Sequence, residues 1–321
     1  MSNWKPNTTL ETLKLRAELL NSARNFFQSL DFIEVDTPSL SQSTTPDPNI
    51  ESFSTQFNNT RYYLQTSPEF PMKRLLASGA GAIYQICKVF RQGEAGRNHN
   101  PEFTMIEWYQ PDMEYQQLMR QVDTLVRCLL KDKLALNETV FFSYREVFEN
   151  IVGINPLHTT EAELQSVVEA NNIQLYNTDT KLSKDALLDL IITHVIQARL
   201  PKNAPVFIYD YPASQAALAN IKKNDVDIAE RFELYINGIE LANGYQELRN
   251  ANEQQQRFEK ENSLRELAEL QTVPLDTNLI AALESGLPMV SGVAVGFDRV
   301  LMLAAGADSL REVIAFTIDN A

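Results

Sequence analysis

The chain has 321 residues and is 44% hydrophobic, which is enough to bury a large core in one big domain or in two. Its net charge of −14 and pI near 4.8 argue against general nucleic-acid binding, which depends on Lys and Arg, although a local basic patch would escape this argument. We expect neither a membrane span nor a signal peptide, because no apolar run of about 18 residues occurs and no basic stretch opens the chain. Cys87 and Cys128 lack CxxC spacing and are interpreted as reduced structural thiols of a cytoplasmic protein.

The N-terminal part of the chain predicts helices alternating with strands. Thr8 and Glu11 fit an S/T-x-x-E capping box, which predicts that a helix begins near residue 10. Ser, Thr, Asn and Pro are frequent in 41–60, a composition typical of a surface loop. The predicted elements are a helix at about 10–29, a strand at 32–36, a helix from Ser67-Pro68-Glu69 to about 78, strands at 83–91 and 102–110 around a polar loop with Gly93 and Gly96, and a helix at about 113–131.

The C-terminal part begins with a stretch of different character, residues 140–203, which is mostly helical and which we interpret as an inserted or bridging region. Turns or loops join most of the predicted strands, so we expect an α+β fold with an antiparallel-rich sheet. The predicted elements are helices near 144–151, 160–171 and 183–199, strands within PVFIYDYP, RFELYI and IELAN, a charged helix at about 247–270, a strand in SGVAVGF, and a helix from about Asp298.

A glutamate between aromatic residues marks the strand at 102–110. Strand alternation places Phe103, Met105, Glu107 and Tyr109 on one face of the sheet. If this face is buried, the Glu107 carboxylate is costly unless a cation meets it. Two interpretations follow: a structural pair between Glu107 and a protein Arg, or the floor of a pocket for a cationic ligand.

A second pair of carboxylates lies in RFELYINGIELANGYQEL. Asn237-Gly238 is a strong signal for a type I′ hairpin, which pairs Tyr235 with Glu240 and sets Glu233 diagonal to Glu240 on the same face. Two carboxylates so placed repel each other unless a cation, such as Mg²⁺, lies between them. The alternative is a solvated hairpin face. Gly244 is expected to break or bulge the strand, so the alternation is not extended to later residues.

A third cluster, SGVAVGFDRVLML, runs from a glycine-bearing strand into a helix with Arg299 in its first turn. An arginine there can approach phosphate beside the N-terminal end of the helix dipole, although by itself this signal is weak.

Taken together and in this order, the motifs resemble the class II aminoacyl-tRNA synthetases. FIEVDTP resembles motif 1, VFR…HNPEFTMIEWY motif 2 and GVAVGFDR motif 3, while TSPEF and FELYINGIELANGYQEL are similar to the lysyl branch. The resemblance covers about 10–316. It implies the class II catalytic fold, an antiparallel sheet flanked by helices, as a single domain over 1–321 with the helical insertion at about 140–203. Since motif 1 begins by residue 32, we expect no anticodon-binding domain.

A catalytic domain without an anticodon-binding domain resembles the elongation factor P–lysine ligases. That resemblance implies ATP-dependent activation of lysine or (R)-β-lysine, then transfer of the acyl group to a lysine ε-amino group of elongation factor P. It also implies a homodimer formed through motif 1 and no tRNA partner. Two alternatives stay open: a lysine-activating enzyme with another acceptor, and a silent regulatory paralogue. The second predicts loss of phosphate and metal groups, yet Arg91, Arg299, Glu233 and Glu240 are present.

The resemblance also implies roles for individual residues. Arg91 and Arg299 are the expected catalytic residues, acting on the α-phosphate and on the γ-phosphate end of ATP by positioning and electrostatics. Glu233 and Glu240 would hold Mg²⁺. The expected ATP-binding residues are Arg91, Gln92, Gly93, His99, Asn100, Phe103, Glu240, Leu241, Gly296 and Arg299. The expected amino-acid-binding residues are Ser67, Pro68, Glu69, Glu107, Tyr109, Asn243, Glu247 and Ala294.

Two residues depart from the family pattern. Gly93 stands where motif 2 of the class II enzymes has a glutamate, so either backbone groups or Glu94 must replace that side chain. Ala294 stands where lysyl-tRNA synthetases tend to have glycine. Its methyl group would press on the space around the substrate's α-carbon and select (R)-β-lysine, unless Ala294 merely packs.

Overall fold

The computed structural model describes residues 4–174 and 182–321. The α-helices in these ranges are α1 (Leu10–Ser29), α2 (Glu69–Ala77), α3 (Tyr115–Leu130), α4 (Tyr144–Ile151), α5 (Glu161–Ala170), α6 (Lys184–Ile191), α7 (Gln197–Arg199), α8 (Ala251–Leu267), α9 (Thr277–Gly286) and α10 (Phe297–Ala305). The strands are β1 (Ile33–Glu34), β2 (Leu40–Ser41), β3 (Ser54–Phe57), β4 (Thr60–Leu64), β5 (Ile83–Phe90), β6 (Glu102–Pro111), β7 (Val140–Ser143), β8 (Val206–Pro212), β9 (Ile228–Ile236), β10 (Ile239–Gln246) and β11 (Val290–Gly296). A π-helical segment, Ile192–Ile196, connects α6 and α7.

The chain divides into two compact units, Met1–Leu134 with Glu247–Ala321, and Ala135–Gln246. In the first unit the strand order is β1-β5-β6-β11, in which only the β1–β5 pair is parallel. A small antiparallel sheet, β2-β4-β3, belongs to the same unit. Helix α1 covers the main sheet through Phe27, whose ring stacks on Tyr84 at 4.2 Å and meets Trp108 edge-on at 5.2 Å.

In the second unit the strand order is β10-β9-β8-β7, in which only the β7–β8 pair is parallel. A hydrophobic core fills the space between the strands and helices α4 to α6, with Phe148, Leu188 and Ile208 fully buried. Antiparallel pairs dominate both units, so the predicted α+β class is confirmed. The helices predicted at 144–151, 160–171 and 183–199 are confirmed in the described residues, the last with its π-helical segment.

Three local predictions were wrong, and one helix was missed. The N-cap of α1 is Thr9, whose Oγ1 accepts a hydrogen bond from the Thr12 amide at 3.2 Å, so the Thr8 capping box does not form. The predicted loop at 41–60 contains a β-hairpin, β3–β4, around Asn58-Asn59, which both adopt positive φ. Asn tolerates this conformation, and the Asn-Asn pair was an unused turn signal.

The other two concern the C-terminal half. Helix α9 was not predicted. Gly244 neither breaks nor bulges β10, which continues to Gln246; the irregularity lies between Glu240 and Ala242, so Leu241 is the extra residue. The hairpin itself is confirmed, with Tyr235 opposite Glu240.

Candidate active site

Glu107 is a buried carboxylate in the middle of β6, and it is only 2% exposed. Its two oxygens accept hydrogen bonds from the Ser67 and Tyr109 hydroxyls, each at 2.7 Å. Burial, and after it the charge of Glu69, raises the pKa of Glu107 to about 7, although the two hydroxyl bonds and the Lys73 charge oppose the rise. The Tyr109 bond confirms that both residues share a face. The alternative of an Arg partner fails, since Glu107 makes no ion pair with any residue that the structure describes.

Next to Glu107, a buried lysine joins two further carboxylates. Nζ of Lys73, on α2, lies 2.6 Å from Oε1 of Glu69 and 2.5 Å from Oε2 of Glu247. Burial raises the pKa of the Glu247 carboxyl to about 8, with the Lys73 charge opposing the rise. Burial lowers the pKa of Lys73, but Glu247 and Glu69 together raise it above its ordinary value. Sequence reasoning missed Lys73, although its position four residues after Glu69 on one helix was a usable signal.

Small residues on β11 face these carboxylates. Gly292 lies opposite Tyr109 and Ala294 opposite Glu107 in the antiparallel register, so all four share one face of the sheet. A Cβ added at Gly292 would come within 2.3 Å of the Tyr109 ring and 2.4 Å of Oε1 of Glu247. This close approach therefore requires glycine at 292. Gly296, opposite Met105, continues the row of small residues.

The motif 2 arginine lies at the end of β5. The Arg91 guanidinium carbon is 5.3 Å from the centroid of the Phe103 ring, a cation–π contact, and Nε donates to the Thr66 carbonyl at 3.4 Å. Nη1 of Arg91 is 3.5 Å from the Glu94 carboxylate. Gly93 has φ of +84°, a backbone conformation that a glutamate would adopt only with strain. The loop thus needs glycine at 93, and Glu94 supplies the carboxylate beside Arg91.

Gln92, the residue before Gly93, is hydrogen-bonded through its backbone to the segment that contains Glu51. Its amide donates to the Glu51 carbonyl at 2.7 Å.

The motif 3 arginine is held against the polar loop of motif 2. Nη2 of Arg299, on α10, lies 2.9 Å from Nε2 of His99, and its Nε donates to the Asn98 carbonyl at 3.3 Å. Burial lowers the pKa of His99, and the Arg299 charge lowers it further. Because arginine has no acceptor, Nε2 of a neutral His99 accepts this bond, and the proton is on Nδ1.

Asp298 and Asn100, the sequence neighbours of Arg299 and His99, form hydrogen bonds that connect separate parts of the fold. Asp298 accepts a hydrogen bond from Arg16 of α1 at 2.5 Å and from the Thr104 amide of β6 at 2.6 Å. Asn100 donates to the Glu102 carbonyl at 2.6 Å and accepts from the Ile318 amide at 3.1 Å. Each polar atom of the Asn100 side chain thus already has a backbone partner, and its nucleotide contact remains a prediction.

In the second unit, the cation beside Glu233 is an arginine. Nη2 of Arg231 lies 2.6 Å from Oε1 of Glu233, and Tyr235 donates its hydroxyl to Oε2. Nε of Arg231 also donates to Oδ1 of Asn243 at 3.3 Å, across the hairpin. Within the residues described, no group of three or more His, Cys, Asp or Glu could hold a metal ion. The hairpin geometry predicted repulsion between Glu233 and Glu240, and the Arg231 guanidinium offsets the negative charge of Glu233.

The predicted residues are divided between the two units. The first unit holds Ser67, Pro68, Glu69, Arg91, Gln92, Gly93, His99, Asn100, Phe103, Glu107, Tyr109, Glu247, Ala294, Gly296 and Arg299. The second holds Glu233, Glu240, Leu241 and Asn243.

The family model for class II tRNA synthetases (D, K and N) matches residues 3–320 of the chain. The fold and the first-unit site therefore define a class II tRNA synthetase domain. Over its full length the chain is 45% identical to an elongation factor P–(R)-β-lysine ligase of Edwardsiella ictaluri and 45% identical to the Klebsiella pneumoniae protein of that name, covering 99% of each. The Photobacterium profundum ligase is 44% identical over 99% of both chains. The chain belongs to this ligase family within the class II synthetases.

Proposed function

We propose that the chain uses ATP to activate (R)-β-lysine or lysine and then acylates a lysine of elongation factor P. In the first step the amino acid's carboxylate attacks the α-phosphorus, and pyrophosphate leaves. In the second, a deprotonated ε-amine attacks the acyl carbon, an amide bond forms and AMP leaves. The names of the full-length relatives support the ligase activity and the two substrates.

One observation supports the amino-acid substrate: in the cluster of Glu69, Glu107, Glu247 and Lys73, carboxylates outnumber cations, and all but Glu69 are buried. Glu69, Glu107 and Glu247 act electrostatically on one another, and the Lys73 ammonium opposes the resulting rise in the pKa of Glu107 and of Glu247. With all three carboxylates ionised, the excess is two negative charges. A lysine-type amino acid brings two ammonium groups, and each would gain a charge-assisted hydrogen bond in a dry site. We assign Glu69 to the backbone-proximal amine, and Glu107, Tyr109 and Glu247 to the distal one.

ATP would bind along the arginines of the first unit. The Arg91 guanidinium and the Phe103 ring offer a phosphate partner and a face for adenine, and Arg299 beside a neutral His99 offers a second cation. Both arginines are held by backbone carbonyls, at Thr66 and Asn98, so they are oriented before ATP arrives. Gln92, Gly93 and Gly296 would contact ATP through their backbone.

The roles of the second-unit residues remain predictions from the resemblance. Glu233 and Glu240 are oxygen donors of the kind that Mg²⁺ takes, so their chemistry fits, although Arg231 engages Glu233 here. They would hold the ion, which would supply positive charge to the phosphate oxygens. Leu241 would contact the nucleotide and Asn243 the amino acid.

The decisive experiment measures the acceptor. Purified chain, ATP and radiolabelled (R)-β-lysine are incubated with elongation factor P, and label on the factor is expected. Pyrophosphate exchange that depends on (R)-β-lysine, without label on the factor, would favour the alternative of a different acceptor. Absence of exchange with either lysine isomer would support the silent paralogue and contradict the proposal.

We further propose a cytoplasmic homodimer that does not aminoacylate tRNA. Apolar side chains around α1 and β1 are exposed, including Leu10, Leu30 and Ile33, and they would be covered in a motif 1 dimer.

No helix among the described residues has both the length and the apolar character to cross a membrane.

A further inference from the structure

Lys73 is a buried cation within the amino-acid site, and none of the roles assigned above uses it. Its side chain is 1% exposed, and its two nearest partners are Glu69 and Glu247. A buried ammonium is costly unless it is paired and hydrogen-bonded. Here both partners are carboxylates that we assign to the ammonium groups of the substrate, so Lys73 and the substrate share the same ligands.

We propose that Lys73 is a positioning residue for amino-acid recognition, fixing Glu69 and Glu247 in place and setting the net charge that matches a substrate with two ammonium groups. This inference rests on the proposed function, since it assumes that the site binds a lysine-type amino acid.

The contacts show how Lys73 connects separate segments of the chain. Glu69 is on the same helix as Lys73, whereas Glu247 follows β10 and is held from the other side by its amide bond to the Val290 carbonyl at 3.0 Å. The amide of Glu69 in turn donates to Oγ of Ser67 at 3.0 Å, and the Ser67 hydroxyl donates to Glu107. One continuous chain of polar contacts thus runs from Glu247 through Lys73 to Glu107.

When all three carboxylates are ionised, a substrate with two ammonium groups balances the charges of this network. Three carboxylates and the Lys73 ammonium leave two negative charges, which the substrate neutralises. Without Lys73 the site would carry a third negative charge in a region where carboxylates already bind protons more tightly than usual. A further carboxyl group, Glu261 on α8, interacts electrostatically with Glu69. Burial is the largest cause that raises the pKa of Glu261 to about 8.

The test replaces Lys73 by Met, which is close in length and apolar. In pyrophosphate exchange we expect the KM for (R)-β-lysine to rise by about tenfold or more, because each glutamate loses its fixed partner, while the KM for ATP stays within about threefold. The pH profile of kcat/KM for the amino acid should shift to higher pH, because the carboxylates hold their protons longer. Lys73→Arg retains the charge and should restore the pH profile.

Lys133→Met is the matched control, since it removes a lysine that pairs with Glu18 at 3.4 Å on the surface of the same unit. Its kinetics should equal those of the wild type. If the wild type activates no lysine isomer, the proposed function fails. If the wild type is active and Lys73→Met keeps both the KM for (R)-β-lysine and the pH profile, only the Lys73 inference fails.

Circular dichroism decides whether Lys73→Met folds. If it does not, Glu69→Gln and the double variant Lys73→Met/Glu69→Gln are compared, because removing one charge of each sign limits the imbalance. The inference predicts that loss of Lys73 raises the KM for (R)-β-lysine in the Glu69→Gln background and shifts the pH profile there as well. Equal KM values and equal profiles for these two proteins would overturn it.

Discussion

Replacing Glu107 by Gln is expected to stabilise the protein above pH 7 while weakening its binding of the amino acid. The amide has nearly the same shape as the carboxyl, and it can still form hydrogen bonds with the Ser67 and Tyr109 hydroxyls. What it removes is a negative charge that is buried and that makes no ion pair with the described residues. The substitution therefore tests separately how the Glu107 charge affects folding stability and how it affects binding of the amino acid.

The stability change follows from the raised pKa of Glu107, which moves from an ordinary value of 4.5 to about 7 in the folded protein. Below pH 4.5 the carboxyl is protonated in both the folded and unfolded states and contributes no difference. As the pH rises from 4.5 to 7, ionisation favours the unfolded state, so the free energy of unfolding falls and then levels off. At about 1.4 kcal/mol for each pKa unit, the folded protein loses about 3 kcal/mol by pH 8. Glu107→Gln should recover it.

The binding change has the opposite sign. Loss of a charge-assisted bond to a desolvated ammonium costs about 1.5–3 kcal/mol, which corresponds to a rise in KM of roughly 10- to 150-fold for the amino acid. The KM for ATP should be nearly unchanged.

Thermal unfolding of Glu107→Gln and wild type from pH 4 to pH 9 tests the first effect, and pyrophosphate exchange tests the second. Glu102→Gln, on the exposed end of the same strand, is the control and should alter neither measurement. A Glu107→Gln protein that is less stable than wild type at pH 8, or whose KM for the amino acid is unchanged, would refute the reasoning.

Three further substitutions test other parts of the site and surface. Ala294→Gly should shift the ratio of (R)-β-lysine to α-lysine activation toward α-lysine, measured by pyrophosphate exchange; an unchanged ratio means that Ala294 only packs. Gly292→Ala should destabilise the fold by about 1–3 kcal/mol or more in urea unfolding, because the added methyl overlaps the Tyr109 ring, and wild-type stability would contradict the close approach. Ile33→Asp should give the mass of one chain in light scattering, against two for wild type, and a wild-type monomer would refute the motif 1 dimer.

Some features of the site could be predicted because they depend on local spacing. The alternation along β6 correctly placed Glu107 and Tyr109 on one face, since side chains in any strand alternate. Asn237-Gly238 correctly set the register of the β9–β10 hairpin, since a two-residue turn fixes which residues are opposite. The bulge at Leu241 was misplaced to Gly244, because glycine permits an irregularity without requiring one.

Other features depend on which distant segments meet. Whether the cation near Glu233 is an arginine or a metal cannot be decided from hairpin geometry, because both satisfy the same electrostatic need. Likewise, the need for glycine at 93 comes from a positive φ that the loop imposes, and no residue count reveals that angle.

By itself, the sequence determined the order of the three motifs, the α+β class and the face on which Glu107 lies, because motif order, element type and strand alternation are patterns of residues close together in the chain. The tertiary structure alone decided that Lys73 meets Glu247 and that Gly292 lies against the Tyr109 ring. These partners are far apart in sequence, and they meet only because α2 packs against the residue after β10 and because β6 pairs with β11. The charge balance of the amino-acid site is therefore a property of the fold.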